Sequence, residues 1–277
     1  MKLNIDKKQQ DNEFDEFFHQ HTVKFQVSND KEWARLQNSI KEPLMWKSVV
    51  FRYAASFLIF VSSVLFVGLY STSVTCPKGQ RMAYTLPDGS NIQLNADTKI
   101  SYHPIWWYLN RQVELDGEAF FKVKKGSQFT VFSSQGQTTV LGTSFNIFAR
   151  NNNYRVTCIS GKVAVNTIGI DYTLITGQSV KADIHTGKGN QESGGLIKHM
   201  PWLKHQLIFN RAPLEEVLAS LERQYNISIN SNLNQQHLYS GNLKLDNGIQ
   251  DNLNAICTTF DLKYKLIDSS GIYSVHQ

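Results

Sequence analysis

The sequence has few of the residues that build reactive or metal-bound centres. Cysteine occurs three times in 277 residues, as Cys76, Cys158 and Cys257. An odd count is no disulfide framework. One bridge or three separate thiols both fit, because a free cysteine packs like a small apolar residue. His103, His185, His199, His205 and His237 stand apart, with no metal-ligand spacing. We expect no metal and no cofactor. Charged residues make up 18% of the chain, and the formal net charge of +5 is spread along it. Without a dense Lys/Arg run, direct nucleic-acid binding is not expected. Asp88, Glu114, Asp116 and Glu118 could be paired carboxylates of a hydrolase, but Asp-Gly turns give the same pattern without catalysis. The expectation is a protein that is not an enzyme.

Long hydrophobic runs are also scarce, with one exception. Tyr53 to Tyr70 carries no charge and is apolar on every face. About 18 such residues lie near the lower limit for crossing the hydrocarbon core as a helix, which satisfies its own backbone hydrogen bonds. Trp46, Tyr53 and Tyr70 suit the headgroup zone at its ends. Ser56, Ser62 and Ser63 can bond back to the preceding turn. A buried core helix is the competing reading, but such helices usually keep a polar stripe. Roughly fifty polar residues precede the run, which argues against a cleaved signal peptide, and Thr75 before Cys76 argues against a lipoprotein. Arg35, Lys41, Lys47 and Arg52 precede the span, while Lys78 and Arg81 follow it, favouring a cytoplasmic N-terminus.

The expected division is a short helical N-terminus at 1–52, one transmembrane helix at 53–70, an all-β domain at 71–187, a linker at 188–201 and a small α+β domain at 202–277. In the first segment, Phe14, Phe17 and Phe18 share a helical side, and Phe25 and Val27 follow. Trp33, Leu36, Ile40 and Leu44 recur at helical spacing, with Pro43 limiting the helix. A stripe with nothing in its own segment to cover it suggests a partner; a helix lying on the lipid surface is the alternative. From Gln80 to about Lys181, short apolar runs alternate with turn residues such as Pro87-Asp88-Gly89-Ser90, Asp116-Gly117, Asn151-Asn152-Asn153 and Ser160-Gly161. Turns at roughly ten-residue spacing suit a sandwich, barrel or solenoid. Gly187 to Gly195 reads as a linker or exposed loop.

The tail from Trp202 holds an internal repeat. Leu214, Val217, Leu218, Leu221 and Tyr225 form one helical face; Ile249, Leu253, Ile256 and Phe260 form another. Strand-like runs flank each, and Ile272 to Val275 is a last strand. Pro213 suits a first helical turn, and Asn247 with Gln250 a capping box. Two such units make a small α+β domain, with helices on one sheet face.

Several motifs in order carry a family resemblance. They are Leu86-Pro87-Asp88-Gly89-Ser90 leading to Leu94-Asn95-Ala96, the run Arg111 to Val123, Val140-Leu141-Gly142-Thr143-Ser144-Phe145-Asn146-Ile147, and Val156 to Val165. With Trp202, Leu207-Ile208-Phe209 and Pro213 to Leu218 in the tail, the chain resembles the FecR-type anti-sigma regulators common in Bacteroidota. The tail also resembles the secretin and TonB short N-terminal domain. The resemblance implies an inner-membrane, single-pass protein with a cytoplasmic N-terminus and a periplasmic C-terminus. Its N-terminus would hold an extracytoplasmic-function sigma factor. Its periplasmic part would contact the signalling domain of an outer-membrane TonB-dependent transporter, with release after cutting by site-specific proteases. The N-terminal segment itself offers no family motif.

On this reading Trp33, Leu36 and Ile40 are the candidate sigma-binding residues, and Leu207 and Phe209 mark the candidate receptor-binding strand, where strand addition gives affinity through the main chain. Some family members break themselves between Gly and Thr, which points to Gly142 and Thr143; the alternative is a bulge that only glycine fits. Trp106-Trp107-Tyr108 is either a stacking platform or a core or membrane-proximal cluster. The competing functional readings are a membrane-anchored periplasmic carbohydrate-binding or hydrolytic protein and an envelope-assembly component.

Overall fold

The computed structural model describes residues 15–17, 19–20, 29–40, 44–193, 200–231, 237–268 and 271–276. It divides into two units, 1–65 and 66–277.

In the first unit, helix α1 covers Asn29–Ile40. Phe17 lies in a helical stretch and is exposed; Phe14, Phe18, Phe25, Val27 and Pro43 lie outside the described residues. Leu44 does not continue the stripe of α1. It starts helix α2, Leu44–Leu69. The part apolar enough to cross a membrane is Val49–Leu69, and none of it is buried in the protein. That excludes a core helix. The helix therefore begins before the expected Tyr53 and contains Arg52, whose long side chain can place its charge in the headgroups. Ser56 donates to the Arg52 carbonyl (2.8 Å), and Ser62 and Ser63 to that of Ile59 (2.9 and 2.7 Å), so each of these three hydroxyls has an acceptor within its own helix. Tyr70 lies just past the helix end, its N–H reaching Phe66 O at 3.0 Å.

Strand β1 follows at once, Thr72–Cys76. The all-β region is one thirteen-stranded arrangement. In chain order come β2 (Met82–Thr85), β3 (Asn91–Leu94), β4 (Thr98–Tyr102), β5 (Arg111–Lys122), β6 (Phe129–Ser133), β7 (Gly136–Val140), β8 (Ser144–Arg150), β9 (Asn153–Ser160), β10 (Lys162–Thr167), β11 (Ile170–Ile175), β12 (Gln178–Asp183) and β13 (Lys188–Ser193). The path runs β11-β10-β7-β6-β5-β8-β9-β12-β13, with β4-β1 and β3-β2 also attached at β5. The sheets do not close into a barrel. The first half of β5 pairs with β4 and β6, the second with β3 and β8. One strand thus serves both layers.

The change-over falls at Gly117. Asp116-Gly117 is not the turn expected from sequence but a bend inside a continuous strand. Gly117 has φ +128°, and a Cβ there would lie 2.8 Å from Thr98 Cα. Alternation along β5 sends Val113, Leu115, Ala119 and Phe121 into the core, where Ile100, Trp107, Phe129, Phe145, Ile147 and Val156 meet them. Phe121 stacks on Phe145 at 5.1 Å between centroids. The first part of the expected linker, Lys188–Ser193, is an exposed strand paired with β12, and 194–199 lie outside the described residues.

In the tail a short 3-10 helix, Pro201–Lys204, leads into β14 (Gln206–Pro213), α3 (Leu214–Tyr225), β15 (Ser228–Ser231), β16 (Leu238–Lys244), α4 (Ile249–Phe260), β17 (Lys263–Asp268) and β18 (Ile272–His276). The elements match the repeat, but they form two sheets and not one. The strands β14 and β16 pair in one, and the other has the order β15-β18-β17. Both contribute to one core with the inner faces of α3 and α4. Pro213 is the N-cap of α3, one position before the helix. Gly248, at φ 35°, is the N-cap of α4, which has no side-chain cap, so the expected Asn247/Gln250 box does not form. The three cysteines are free and buried, Cys76 and Cys158 in the β core and Cys257 in the tail core. Burial raises all three thiols above their ordinary value.

Candidate functional site

Three places carry the residues singled out from sequence. The first is the exposed side of α1. Trp33 and Leu36, three positions apart, are exposed by 61% and 53%. Ile40 ends the same helix.

The second is the turn at Gly142-Thr143. The Leu86–Ser90 loop is closed on itself, with Gly89 N–H on Leu86 O and Leu86 N–H on Ser90 O. Asp88 accepts from the backbone and hydroxyl of Ser90 (2.9 and 2.7 Å) and pairs with the buried Arg111 guanidinium. Arg111 also donates to Ser127 O (2.7 Å) and Lys124 O (3.0 Å), so one cation clasps two loops. Burial works to raise the Asp88 carboxyl; the Ser90 hydrogen bonds and then Arg111 outweigh it, and its pKa is held below the usual value.

The clasped loop in turn backs the motif. Val123 N–H donates to Thr143 O at 3.0 Å and Gly126 N–H to Leu141 O at 2.9 Å. Gly142 has φ +157°, and a Cβ there would come 2.6 Å from Lys125 Cα. Only glycine fits, as in the bulge reading. The Thr143 hydroxyl donates to Lys162 O at 3.0 Å. A groove of about 520 Å³ opens here, and its titratable lining residues are Lys125 and Lys162. Any attack by that hydroxyl on the Gly142 carbonyl first requires it to leave Lys162 O.

The third is β14. Leu207 and Phe209 are half-buried against the tail core, Phe209 edge-on to Tyr239 at 6.1 Å. They pair with Leu243 and Gly241 of β16, and among the described residues β14 has no other strand partner. Both also line a cavity of about 170 Å³ with Glu118, Arg155, Trp202 and Glu216, where the β region meets the tail.

Sequence reasoning missed the contacts that join these parts. Gly79 N–H donates to Arg223 O (2.7 Å), Arg81 to Gln224 Oε1 (3.2 Å), and Gln224 Nε2 to Asn95 Oδ1 (2.9 Å). Asn95 and Asn146 both donate to the buried Glu118 (2.8 and 3.0 Å). Burial, then the like charge of Arg150, lowers Arg223 to about 10. Three of the four carboxylates singled out from sequence are engaged within the fold: Asp88 in the clasp, Glu118 on two amides, Glu114 accepting from Ser101. Among the described residues no cluster suited to a metal occurs.

The Trp106-Trp107-Tyr108 cluster splits. Trp107 is fully buried, whereas Trp106 and Tyr108 are exposed.

Residues 72–164 match the family model described as FecR protein, and residues 206–273 that described as FecR, C-terminal. Two crystal structures of a protein assigned as an anti-sigma factor from Parabacteroides distasonis ATCC 8503, at 1.65 and 2.50 Å resolution, are similar to this chain. Each is 28% identical with a TM-score of 0.69, and they cover 74% and 75% of this chain and 99% of their own. No curated protein matches it.

Proposed function

The chain belongs to the FecR family, and from that premise we propose that it is an inner-membrane anti-sigma regulator. Its cytoplasmic N-terminus binds an extracytoplasmic-function sigma factor through Trp33, Leu36 and Ile40. The apolar segment of α2 crosses the membrane. The β region and tail are periplasmic, and the tail receives the signalling domain of an outer-membrane TonB-dependent transporter on the edge of β14 that holds Leu207 and Phe209.

One observation supports this reading: along the chain, a helix with an exposed tryptophan and leucine precedes the one apolar helix among the described residues that is long enough to cross a membrane, and the FecR-matching region follows it. Basic residues concentrated before the span support a cytoplasmic N-terminus. A single helix has no second packed arrangement to switch into. Holding a partner at the membrane, and releasing it when site-specific proteases cut the tether, needs only a change in effective concentration.

The test uses the full chain in detergent as bait for the sigma factors of its own cells, identified by mass spectrometry. W33E/L36E is expected to weaken capture about tenfold or more, the loss typical of hot-spot side chains. Equal capture by the variant contradicts the assignment of this face.

A further inference from the structure

We propose that the loop His103–Asn110 is a membrane-interface anchor, seated in the lipid headgroups of the leaflet from which the β region emerges. The loop joins β4 to β5 and contains no Asp, Glu, Lys or Arg. It displays Ile105, Trp106, Tyr108 and Leu109, exposed by 47%, 41%, 82% and 74%. Trp107 turns the other way and is fully buried, meeting Tyr102 and Phe129 edge-on. One ring thus nails the loop to the core while its neighbours face outward.

The place of the loop identifies what it faces. Trp106 Nε1 donates to Val67 O at 3.2 Å, and His103 Nδ1 lies 3.0 Å from Tyr70 O. The Val67 carbonyl belongs to the last turn of α2, where acceptors lack helical partners, and that of Tyr70 lies just past it. Val67 lies inside the apolar span Val49–Leu69. At about 1.5 Å rise per residue, a ring bonded to Val67 O lies within one turn of the helix end. Hydrocarbon gives way to headgroups there. Only Tyr70 and Ser71 separate the helix from β1, so the β region cannot move far from that level. The exposed residue types fit: Trp and Tyr favour the interface, each with an apolar ring and a polar tip. In water the same patch would be an uncovered apolar surface. The bilayer that holds α2 covers it without any further partner. The proposal rests on the membrane span, not on the sigma-binding reading.

The test places nitroxide labels on Tyr108→Cys and Leu109→Cys in the full chain, one copy per phosphatidylcholine/phosphatidylglycerol nanodisc, with Asp171→Cys as an exposed control on β11. The native cysteines are buried and stay unlabelled. At 108 and 109 we expect loss of collisions with a water-soluble nickel chelate and gain of collisions with lipid-soluble oxygen, relative to 171. Labels as open to nickel as the control overturn the proposal. So does protection from both reagents, as burial against protein would give.

Discussion

Arg111→Met lowers the unfolding free energy by about 3–5 kcal/mol, the loss expected when one partner of a buried ion pair is removed and the other charge is left behind. Arg111 is buried, and its guanidinium holds Asp88, Ser127 O and Lys124 O together. Without it the Asp88 carboxylate keeps only the Ser90 hydrogen bonds. The drop corresponds to about 2–4 °C of melting temperature per kcal/mol for a region of this size, read in the detergent-solubilised full chain. Adding Asp88→Asn to Arg111→Met recovers part of the loss, because the stranded charge is gone; the pair is coupled and its effects do not add. The same clasp gives a pH dependence. The folded pKa of Asp88 is depressed. Its stabilisation is therefore complete above the ordinary carboxylate value near 3.9. It is lost as pH falls through the lower folded value. Asp88→Asn flattens this part of the acid limb.

The second large effect separates two adjacent aromatics. Trp107→Ala costs about 3–5 kcal/mol, as for other fully buried large rings. Trp107 has no exposed surface and packs edge-on between Tyr102 and Phe129, at 5.3 and 5.9 Å. Tyr108→Ala, on an exposed side chain next to it, stays within about 0.5 kcal/mol in detergent. Trp107→Phe falls well short of the alanine loss. It keeps most of the ring contact and removes an indole N–H that is buried without a hydrogen-bond partner among the described residues. Thermal unfolding of the three variants checks the order; a Tyr108→Ala loss equal to that of Trp107→Ala contradicts it.

That contrast shows where the sequence stops being informative. Along β5 the alternation of Val113, Leu115, Ala119 and Phe121 is legible because a strand has period two. The 103–110 turn has no period, so nothing in Trp106-Trp107-Tyr108 says which ring points inward. The span was legible from its missing charges. Its start was not, since an arginine near the end of a membrane helix can reach the headgroups and need not end it. Gly117 advertised a positive φ, but a turn and a bend between two sheets make the same demand on the residue. In the tail, the repeat announced both α-helices and the strands flanking them. The division into two sheets depends on long-range pairing that local pattern does not encode. The clasp was hidden for a related reason: Arg111 and Asp88 each sit in a recognisable motif, and only folding brings the two motifs together. The Glu118–Asn95–Gln224–Arg81 chain likewise joins residues far apart in sequence.

The proposed function requires α1 to meet its partner on one side of a membrane while the β region and tail lie on the other. A photo-cross-linking residue at Trp33 of the full chain, activated in intact cells, tests it most directly. The account predicts an adduct with a sigma factor, formed in cells that have not received the transporter's signal and lost in cells that have. An adduct with a periplasmic protein, or with lipid alone, contradicts it.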